Sequence, residues 1–414
     1  MAGPERQKVF TNKELFEGLV NKVKIWFTLD FDLGVNMNPG MILVQRLKKI
    51  ADPRITGRCN HLLVDILVIA LCATMAGAEG WDDMEAWGDA NEERLHRYLE
   101  LPNGIPGHDT IRRVFEAINP KHLEAVLLEW IGDVCPTLGK VISIDGKAMR
   151  GSGSVLRGQR ALHVVSAYAS EVGLVLGQQR CEEKSNEITA IEALLPNLAL
   201  SGCIVTIDAM GCQMEIAAQI IERKGDYLLN AKDNQPKLAK GIEEFMSIGE
   251  QCDWKNLTPS QFETLDKGHG RVETRRCVAL PVPDYIPEIT RWPGIKSIAR
   301  IEAIREAHGK MTTEVRYLIG SMTPDAQVIL NATRLHWGVE NGLHRCLDVA
   351  FREDASAVHL RQAAANLGII RKLALNIFRL DDSSKLSLPR KRKNAAWKPD
   401  YLFNLLGLQP GGEF

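Results

Sequence analysis

The chain has 414 residues, more than one hydrophobic core usually organises, so about two or three structural units are expected. Its composition, with 45% hydrophobic and 25% charged residues, excludes an intrinsically disordered protein. The formal net charge of −1 excludes a uniformly basic surface for nucleic acid, so any such surface must be local.

The amino-terminal part, residues 1–135, is predicted to be helical and to form one domain that could bind DNA ends. The run at 62–78 carries apolar residues on nearly every helical face, which indicates a helix that crosses a core. Farther along, Asp109 could cap a short helix from which Arg112 and Arg113 face outward. A helix-turn-helix DNA reader would fit this place, but we favour a plain helical hairpin.

From Val141 the chain changes to short runs rich in valine and isoleucine, separated by glycine and polar turns. Strands and helices alternate in the predicted order, which favours an α/β layered core at 136–248. The predicted strands lie at 141–145, 161–170, 173–179, 203–209 and 226–232, and the predicted helices at 187–199, at 214–225 and after Pro236.

Residues 249–322 are predicted to form a separate antiparallel, β-rich insertion, with strands within 269–282, 297–307 and 313–322. Residues 323–380 return to helix and are expected to complete the core. The remaining residues, 381–414, are predicted to be a basic, loosely held tail.

Nine cysteines are scattered through the chain, without a C-x-x-C pair or a zinc-site spacing. This pattern predicts reduced and mostly buried thiols. The amino terminus carries charges where a signal peptide would need an apolar stretch, and Asp65 interrupts the long apolar run. We therefore expect a cytoplasmic protein without a membrane partner.

Two aspartates each close a predicted strand: Asp145 ends the first strand of the core and Asp208 ends a later one. The carboxyl ends of neighbouring strands meet at one edge of an α/β sheet, where two close carboxylates repel unless a cation lies between them. Mg²⁺ suits such oxygen ligands and leaves room for phosphates. Taken singly, however, an aspartate at a strand end is more often a cap or turn residue.

A third acid is needed for a pair of ions that holds the attacking and leaving oxygens of a phosphodiester displacement. Glu340 is the candidate, on a predicted helix that would place His336, Trp337 and His344 on the same face. Asp348, eight residues later, is a rival for this position. Two helical glycines, at positions 338 and 342, suggest close backbone packing or the approach of DNA.

Several long blocks of this sequence resemble the transposases of a bacterial insertion-sequence group that includes the H-repeat-associated proteins. The matching blocks are residues 52–67, 80–88, 143–152, 183–195, 205–213, 226–235, 266–275 and 336–354. The resemblance extends over nearly the whole chain.

This resemblance implies that Asp145, Asp208 and Glu340 form a metal-binding catalytic triad of the Asp-Asp-Glu type. It also implies an α/β fold with a ribonuclease-H-like core, interrupted by the β-rich insertion and preceded by the helical domain. The expected activity is cleavage and strand transfer of DNA with two Mg²⁺ ions, for which Mn²⁺ would substitute. The expected partners are the terminal inverted repeats and target DNA, bound by a homodimer on paired ends and associated with the nucleoid.

The glutamate helix departs from the pattern of related transposases, in which a tyrosine, an arginine and a lysine flank the glutamate. Those positions hold Thr333, His336 and Leu347 here. By position, the residues expected to contact DNA are Lys147, Arg150, Arg334, His336, Trp337, Asn341 and Arg345. Trp337 could stack on an unpaired base, although a tryptophan on an amphipathic helix is more often part of a core.

Two other functions remain open from the sequence. The chain could be a transposase-derived DNA-binding protein that no longer cuts, or a structure-selective nuclease on the same core. Nicked ends would distinguish an enzyme from a binding protein, and joining of those ends to a target would distinguish a transposase from a nuclease.

Overall fold

The computed structural model describes residues 37–408, except 56, 136–138, 155, 157, 183–185, 269, 284–285 and 308. The described chain divides into two compact units. The first unit comprises residues 140–144 and 199–337. The second comprises residues 37–139, 145–198 and 338–408.

Helices and strands are numbered here in chain order. The helices are α1 (Pro39–Leu47), α2 (Leu63–Ala76), α3 (Trp81–Leu95), α4 (His108–Ala117), α5 (Pro120–Val134), α6 (Glu187–Leu194), α7 (Met214–Glu222), α8 (Pro236–Gln251), α9 (Ala326–His336), α10 (Arg345–Phe351), α11 (Arg361–Leu380), α12 (Leu388–Trp397) and α13 (Pro399–Leu405). The strands are β1 (Val141–Met149), β2 (Leu162–Ala169), β3 (Leu174–Arg180), β4 (Ile204–Ile207), β5 (Asp226–Ala231), β6 (Ser260–Gly268), β7 (Arg271–Pro281), β8 (Ser297–Ala307) and β9 (Lys310–Gly320). The strands and helices predicted for the α/β core are confirmed, with one difference: β1 continues to Met149, so Asp145 lies within this strand and does not end it. The residues after Ile144 keep an extended backbone beyond the end of the parallel pairing with β4.

The first unit is built on a mixed sheet. The first residues of β1 pair in parallel with β4, and β4 pairs in parallel with β5. β9 then pairs antiparallel with β5, followed by β8, β7 and β6. β4 is buried along most of its length, as expected for a parallel strand inside a sheet.

Strands β7 to β9 are antiparallel, as predicted, and β6, which was not predicted, pairs with β7 in the same way. These four strands are not a separate body. Leu228 of β5 pairs with Gly320 of β9, so the four strands continue the sheet that β4 and β5 begin. One apolar cluster joins Leu228 and Leu318 to Ile329 and Leu330 of α9. The backbone hydrogen bonds of β5 and this shared cluster are the physical reason for the difference.

The second unit combines helices with the β2–β3 hairpin, which pairs from Val164↔Arg180 to Ala169↔Leu174. The end of β1, residues 145–149, also belongs to this unit. Two of its helices are almost entirely buried, with 12 of the 14 residues of α2 and 16 of the 20 residues of α11 covered. This confirms that the apolar run at 62–78 contains a core helix.

Two local expectations in this unit are wrong. Gly107, not Asp109, is the N-cap residue of α4, and the Asp109 carboxylate instead pairs with Arg112 at 3.0 Å. The carboxyl-terminal segment is not loosely held over residues 381–408, where it forms α12 and α13. The buried Lys391 ammonium donates to the carbonyl of Phe378 at 2.8 Å, which fixes α12 in place.

The cysteines are unpaired and mostly buried, as the sequence predicts. All nine cysteines are unpaired, and six of them are buried. Within the described part of the chain, no single helix has the length and apolarity needed to cross a membrane. Only α2 and α3 taken together reach that length and apolarity, and they are bent by 97° at the break between them.

Candidate active site

Asp208 lies in the first unit, where β4 ends at Ile207. Its carboxylate accepts hydrogen bonds from the backbone N–H of Met210 at 3.1 Å and of Gly211 at 3.4 Å. The same turn is held by Gln235, whose amide donates to the Cys212 carbonyl at 3.0 Å. Asp208 therefore caps a short 3-10 turn, which leaves its half-buried carboxylate in a fixed orientation.

A chain of hydrogen bonds lies beside the parallel strands of this unit. The Thr206 hydroxyl is 3.3 Å from the Ser143 hydroxyl and 3.0 Å from Nδ1 of His336. Burial, together with the nearby Arg316 guanidinium, lowers the pKa of His336 to about 4. The imidazole is therefore neutral at pH 7 and takes part in an internal contact.

The other residues expected to contact DNA from the first unit are Arg334 and Trp337. The Arg334 guanidinium lies 3.2 Å from the Asp266 carboxylate, and burial lowers its pKa. Trp337 is 36% exposed, and the Arg316 guanidinium lies over its ring at 4.6 Å from the centroid. Trp337 is thus not part of a core, and its role towards DNA stays a prediction.

Asp145 lies in the second unit. One carboxylate oxygen accepts from the backbone N–H of Gly146 at 2.9 Å, and the other is 3.6 Å from Nδ1 of His344. Burial, followed by the nearby Lys372 and Lys147, lowers the pKa of His344 to about 4. A neutral imidazole therefore faces Asp145 at pH 7.

A histidine and a glutamate that the sequence did not single out lie against the backbone next to Asp145. The Glu187 carboxylate contacts Nε2 of His163, and its acceptance of a hydrogen bond from the imidazole raises the pKa of His163. A Cβ atom on Gly146 would clash with both side chains, so only glycine allows this approach. Glu187 falls in one of the blocks that carried the resemblance, whereas His163 had no signal in the sequence.

Glu340 lies on an irregular helical segment of the second unit. α9 ends at His336, residues Val339–His344 form a π-helix, and α10 begins at Arg345. A π turn adds a residue to the helical repeat, so this segment is not the regular α-helix that the sequence suggested. The common face of His336, Trp337 and His344 with Glu340 stays a prediction. Glu340, Asn341 and Arg345 are all exposed on this segment.

The glycine inside the π-helix has a packing role. A Cβ atom at Gly342 would lie 2.5 Å from the hydroxyl of Tyr168, closer than real side chains approach. Arg379 of α11 donates to the Tyr168 hydroxyl at 2.5 Å and also to the carbonyls of Gly173 and Gly342. The close packing predicted for Gly342 is confirmed, and its neighbour is Tyr168.

Lys147 and Asp348 are engaged with each other. The Lys147 ammonium lies 2.5 Å from Asp348, 2.8 Å from Glu353 and 3.1 Å from Asp354, and its side chain is only 12% exposed. Arg150, three residues farther along, is 84% exposed and has its guanidinium 3.6 Å from Asp354. The rival third acid is thus an ion-pair partner of a lysine.

The predicted site residues divide between the two units. Asp145, Lys147, Arg150, Glu340, Asn341 and Arg345 belong to the second unit, and Asp208, Arg334, His336 and Trp337 belong to the first. Among the residues that the structure describes, no three His, Cys, Asp or Glu side chains are grouped so that they could hold a metal ion. The metal role of the triad therefore stays a proposal.

Comparisons with known proteins cover both parts of the chain. Residues 136–377 match the family described as "Transposase DDE domain", and residues 44–131 match the one described as "DDE_Tnp_1-associated". The "H repeat-associated putative transposase YhhI" of Escherichia coli (strain K12) is 39% identical, over 88% of this chain and 97% of that protein. The "Putative transposase YncI" of Escherichia coli O157:H7 is 39% identical, over 88% and 94%.

A shorter relative and one solved structure are also similar to this chain. "Inactive transposase YbfQ" of Escherichia coli (strain K12) is 42% identical over 17% of this chain and 86% of that protein. The synaptic complex of piggyBac transposase with hairpin DNA aligns with a TM-score of 0.42 and 9% identity, over 90% of this chain and 82% of that one, too weak a likeness to argue from. The family match over more than half of the chain and the identity to full-length relatives are decisive: the chain belongs to the DDE transposase family and resembles the H-repeat-associated transposases.

Proposed function

We propose that the protein is a DNA transposase that cleaves the terminal inverted repeats of an insertion sequence and joins the ends to target DNA. Asp145, Asp208 and Glu340 would together hold two Mg²⁺ ions. We further propose a ribonuclease-H-like core at 136–248 and 323–380, preceded by a helical domain at 1–135 that binds DNA ends. The active species would be a homodimer on paired ends, in the cytoplasm and at the nucleoid.

The observation that carries this proposal is the register of two parallel strands. Ile144 of β1 pairs with Ile207 of β4, and each of these residues is followed directly by one of the two aspartates. This pair is the last of the parallel ladder, so the two aspartates follow the same point of the pairing. Together with the family, this register supports a shared catalytic role for Asp145 and Asp208.

The chemistry of the donor set suits a hard divalent cation. The three side chains are carboxylates, which are the oxygen ligands that Mg²⁺ prefers. Asp348 differs because a lysine ammonium lies 2.5 Å away, which supports Glu340 as the third acid. Bound Mg²⁺ or Mn²⁺ would supply activation of the nucleophile and stabilisation of the leaving oxygen.

The residues proposed to bind DNA have different tasks. Arg150, Asn341 and Arg345 are exposed on the same unit as Asp145 and Glu340, and the two arginines would contact phosphates. Trp337, exposed and covered on one face by Arg316, would stack on a base. Arg334 and His336 are engaged in internal contacts and would reach DNA only by exchanging them.

Substitution of each acid by its amide tests the proposal. Asp145→Asn, Asp208→Asn and Glu340→Gln should each reduce nicking of a plasmid that carries the terminal repeats by at least about a thousandfold, because each removes a charged ligand. Binding of the terminal repeats, measured without metal, should stay within about threefold of the wild-type protein. Retained cleavage in any of the three variants would remove that residue from the catalytic site.

The products distinguish the remaining functions. Repeat binding without nicks in Mg²⁺ or Mn²⁺ would identify a DNA-binding protein that no longer cuts. Nicks that are never joined to a target would identify a nuclease on the same core.

A further inference from the structure

Lys147 was expected to touch DNA, but the second unit surrounds it with acids. We infer that Lys147 is a positioning residue, which ties the strand of Asp145 to the helical segment of Glu340 through a buried ion cluster. The inference rests on the proposed function, because the positions of Asp145 and Glu340 matter for catalysis only if both are catalytic acids. The ion cluster is defined by Lys147, Asp348, Glu353, Asp354, Arg371 and Lys372.

The first step is the position of Lys147 in the chain. It lies two residues after Asp145 on β1, and alternate residues of a strand point to the same side. Its ammonium therefore extends from the side of the strand that also carries the Asp145 carboxylate. Any force that fixes the Lys147 side chain also limits the movement of Asp145.

The second step is what the ammonium reaches. Asp348 lies on α10, which directly continues the π-helix of Glu340, and its carboxylate is 2.5 Å from the Lys147 ammonium. Glu353 and Asp354, on the next 3-10 turn, contact the same ammonium at 2.8 and 3.1 Å. One lysine thus joins the β1 strand to three successive acids that follow Glu340.

The third step is charge balance inside the fold. Glu353 is fully buried; although burial raises its pKa, Lys372, Lys147 and Arg371 lower it further, so the carboxylate is ionised. The buried Glu353 carboxylate is thus balanced by nearby cations, of which Lys147 contacts it directly. Burial lowers the pKa of Lys147, but Glu353 and Asp348 raise it by more, so this group also stays charged.

A phosphate contact by Lys147 would undo this balance. Moving the ammonium to DNA would leave Glu353 buried with fewer counter-charges and would place Asp348 and Asp354 near the phosphates. Arg150 differs, because its side chain is 84% exposed and, among the described residues, its guanidinium forms an ion pair with Asp354 alone, at 3.6 Å. Arg150 is therefore the matched control, a cation of the same segment that can neutralise a phosphate.

The salt dependence of DNA binding separates the two roles. We would measure binding of a linear duplex of random sequence at increasing NaCl without metal, using the wild-type protein, Lys147→Met and Arg150→Ala. Log K falls as log salt rises, and loss of one phosphate contact makes this negative slope shallower by about 0.9. The inference predicts an unchanged slope for Lys147→Met and a shallower slope for Arg150→Ala; a shallower slope for Lys147→Met would overturn it.

The metal requirement is the second readout. In Lys147→Met, the Mn²⁺ concentration for half-maximal plasmid nicking should rise about 10- to 100-fold, as for other residues that orient metal ligands. The rise in unfolding temperature on adding Mn²⁺ should shrink in parallel, a readout that does not need cleavage. An unchanged Mn²⁺ requirement would overturn the inference, whereas absence of nicking in the wild-type protein would overturn the proposed function instead.

Asp348→Asn keeps the inference testable if Lys147→Met does not fold. This variant should also raise the Mn²⁺ requirement without changing the salt slope, and Lys147→Arg should recover part of the wild-type requirement. In the double variant Lys147→Met/Asp348→Asn, the loss should not exceed that of the worse single variant, because both act through one contact. A loss in the double variant equal to the product of the two single losses would contradict the positioning role. A loss of nicking in Asp348→Asn as complete as in Glu340→Gln would also contradict it.

Discussion

Asp145 and Asp208 each follow a run of four residues, buried in β1 and mostly buried in β4, yet their surroundings are stabilised by different means. Asp208 is held by its own turn, through hydrogen bonds from residues two and three positions later. Around Asp145, the next side chain on the same side of the strand is Lys147, which pairs with acids about two hundred residues away. Both acids accept a local backbone hydrogen bond, but the strand of Asp145 is also joined to distant acids through Lys147, so the two surroundings should differ in their sensitivity to substitution.

The largest loss of stability is expected at Glu353, a buried acid whose counter-charges come from residues far away in the sequence. Glu353→Gln should lower the free energy of unfolding by about 3–5 kcal/mol, because it leaves buried cations without their counter-charge. Asp354→Asn is the control, since this partner of the same ammonium is 27% exposed and should cost about 1 kcal/mol or less. Urea unfolding would measure both, and similar losses would show that burial of charge is not the deciding factor.

A pH dependence should come from His336, beside the strand of Asp208. Its pKa is about 4 when folded and about 6.5 when unfolded, so the unfolded chain takes up the proton first as the pH falls. The free energy of unfolding should therefore be unaffected by His336 above pH 6.5 and fall by up to about 3 kcal/mol by pH 4. Urea unfolding in EDTA at several pH values, compared with His336→Gln, would isolate this contribution. Parallel pH profiles for the two proteins would contradict it.

A smaller effect is expected in the π-helix of Glu340. Gly342→Ala should cost about 1–3 kcal/mol of unfolding free energy, because the new methyl group meets the Tyr168 hydroxyl. Gly338→Ala is the matched control, since its methyl group would lie 3.5 Å from Ser170, an ordinary contact, and alanine favours helix. Thermal unfolding would compare the two, and equal effects would mean that Tyr168 does not define this packing.

The smallest effect tests the local side of the comparison. Asp208→Ala should cost about 1 kcal/mol by removing the cap of the 3-10 turn, whereas Asp208→Asn keeps an oxygen acceptor and should cost less. Both should abolish cleavage if Asp208 holds the metal. A cost for Asp208→Ala as large as that for Glu353→Gln would end the distinction between the two aspartates.

The regular elements of the candidate site were predictable from the sequence. The valine- and isoleucine-rich runs that precede Asp145 and Asp208 form β1 and β4, because strands covered on both faces need continuous apolar stretches. The helix that begins at Ala326 follows from its own periodicity in the same way. The named blocks in the sequence also led to the family that the comparisons bear out.

The irregular features were not predictable from local pattern. The π-helix at Val339–His344 breaks a spacing that the sequence presents as regular, and it packs glycine against a tyrosine from β2. Helical periodicity carries no information about a distant side chain that would occupy the space of a Cβ atom.

The sequence by itself determined the family, the strands that lead to the two aspartates and the approximate place of the glutamate, because apolar runs and motif blocks are local in the chain. Tertiary structure decided the partners of the charges. Lys147 was expected at DNA, and the run at 390–393 in a loose tail, but Lys147 pairs with three acids and Lys391 and Arg392 donate to backbone carbonyls. A charge is solvated or buried according to residues far away in sequence, and only the folded chain brings these residues together.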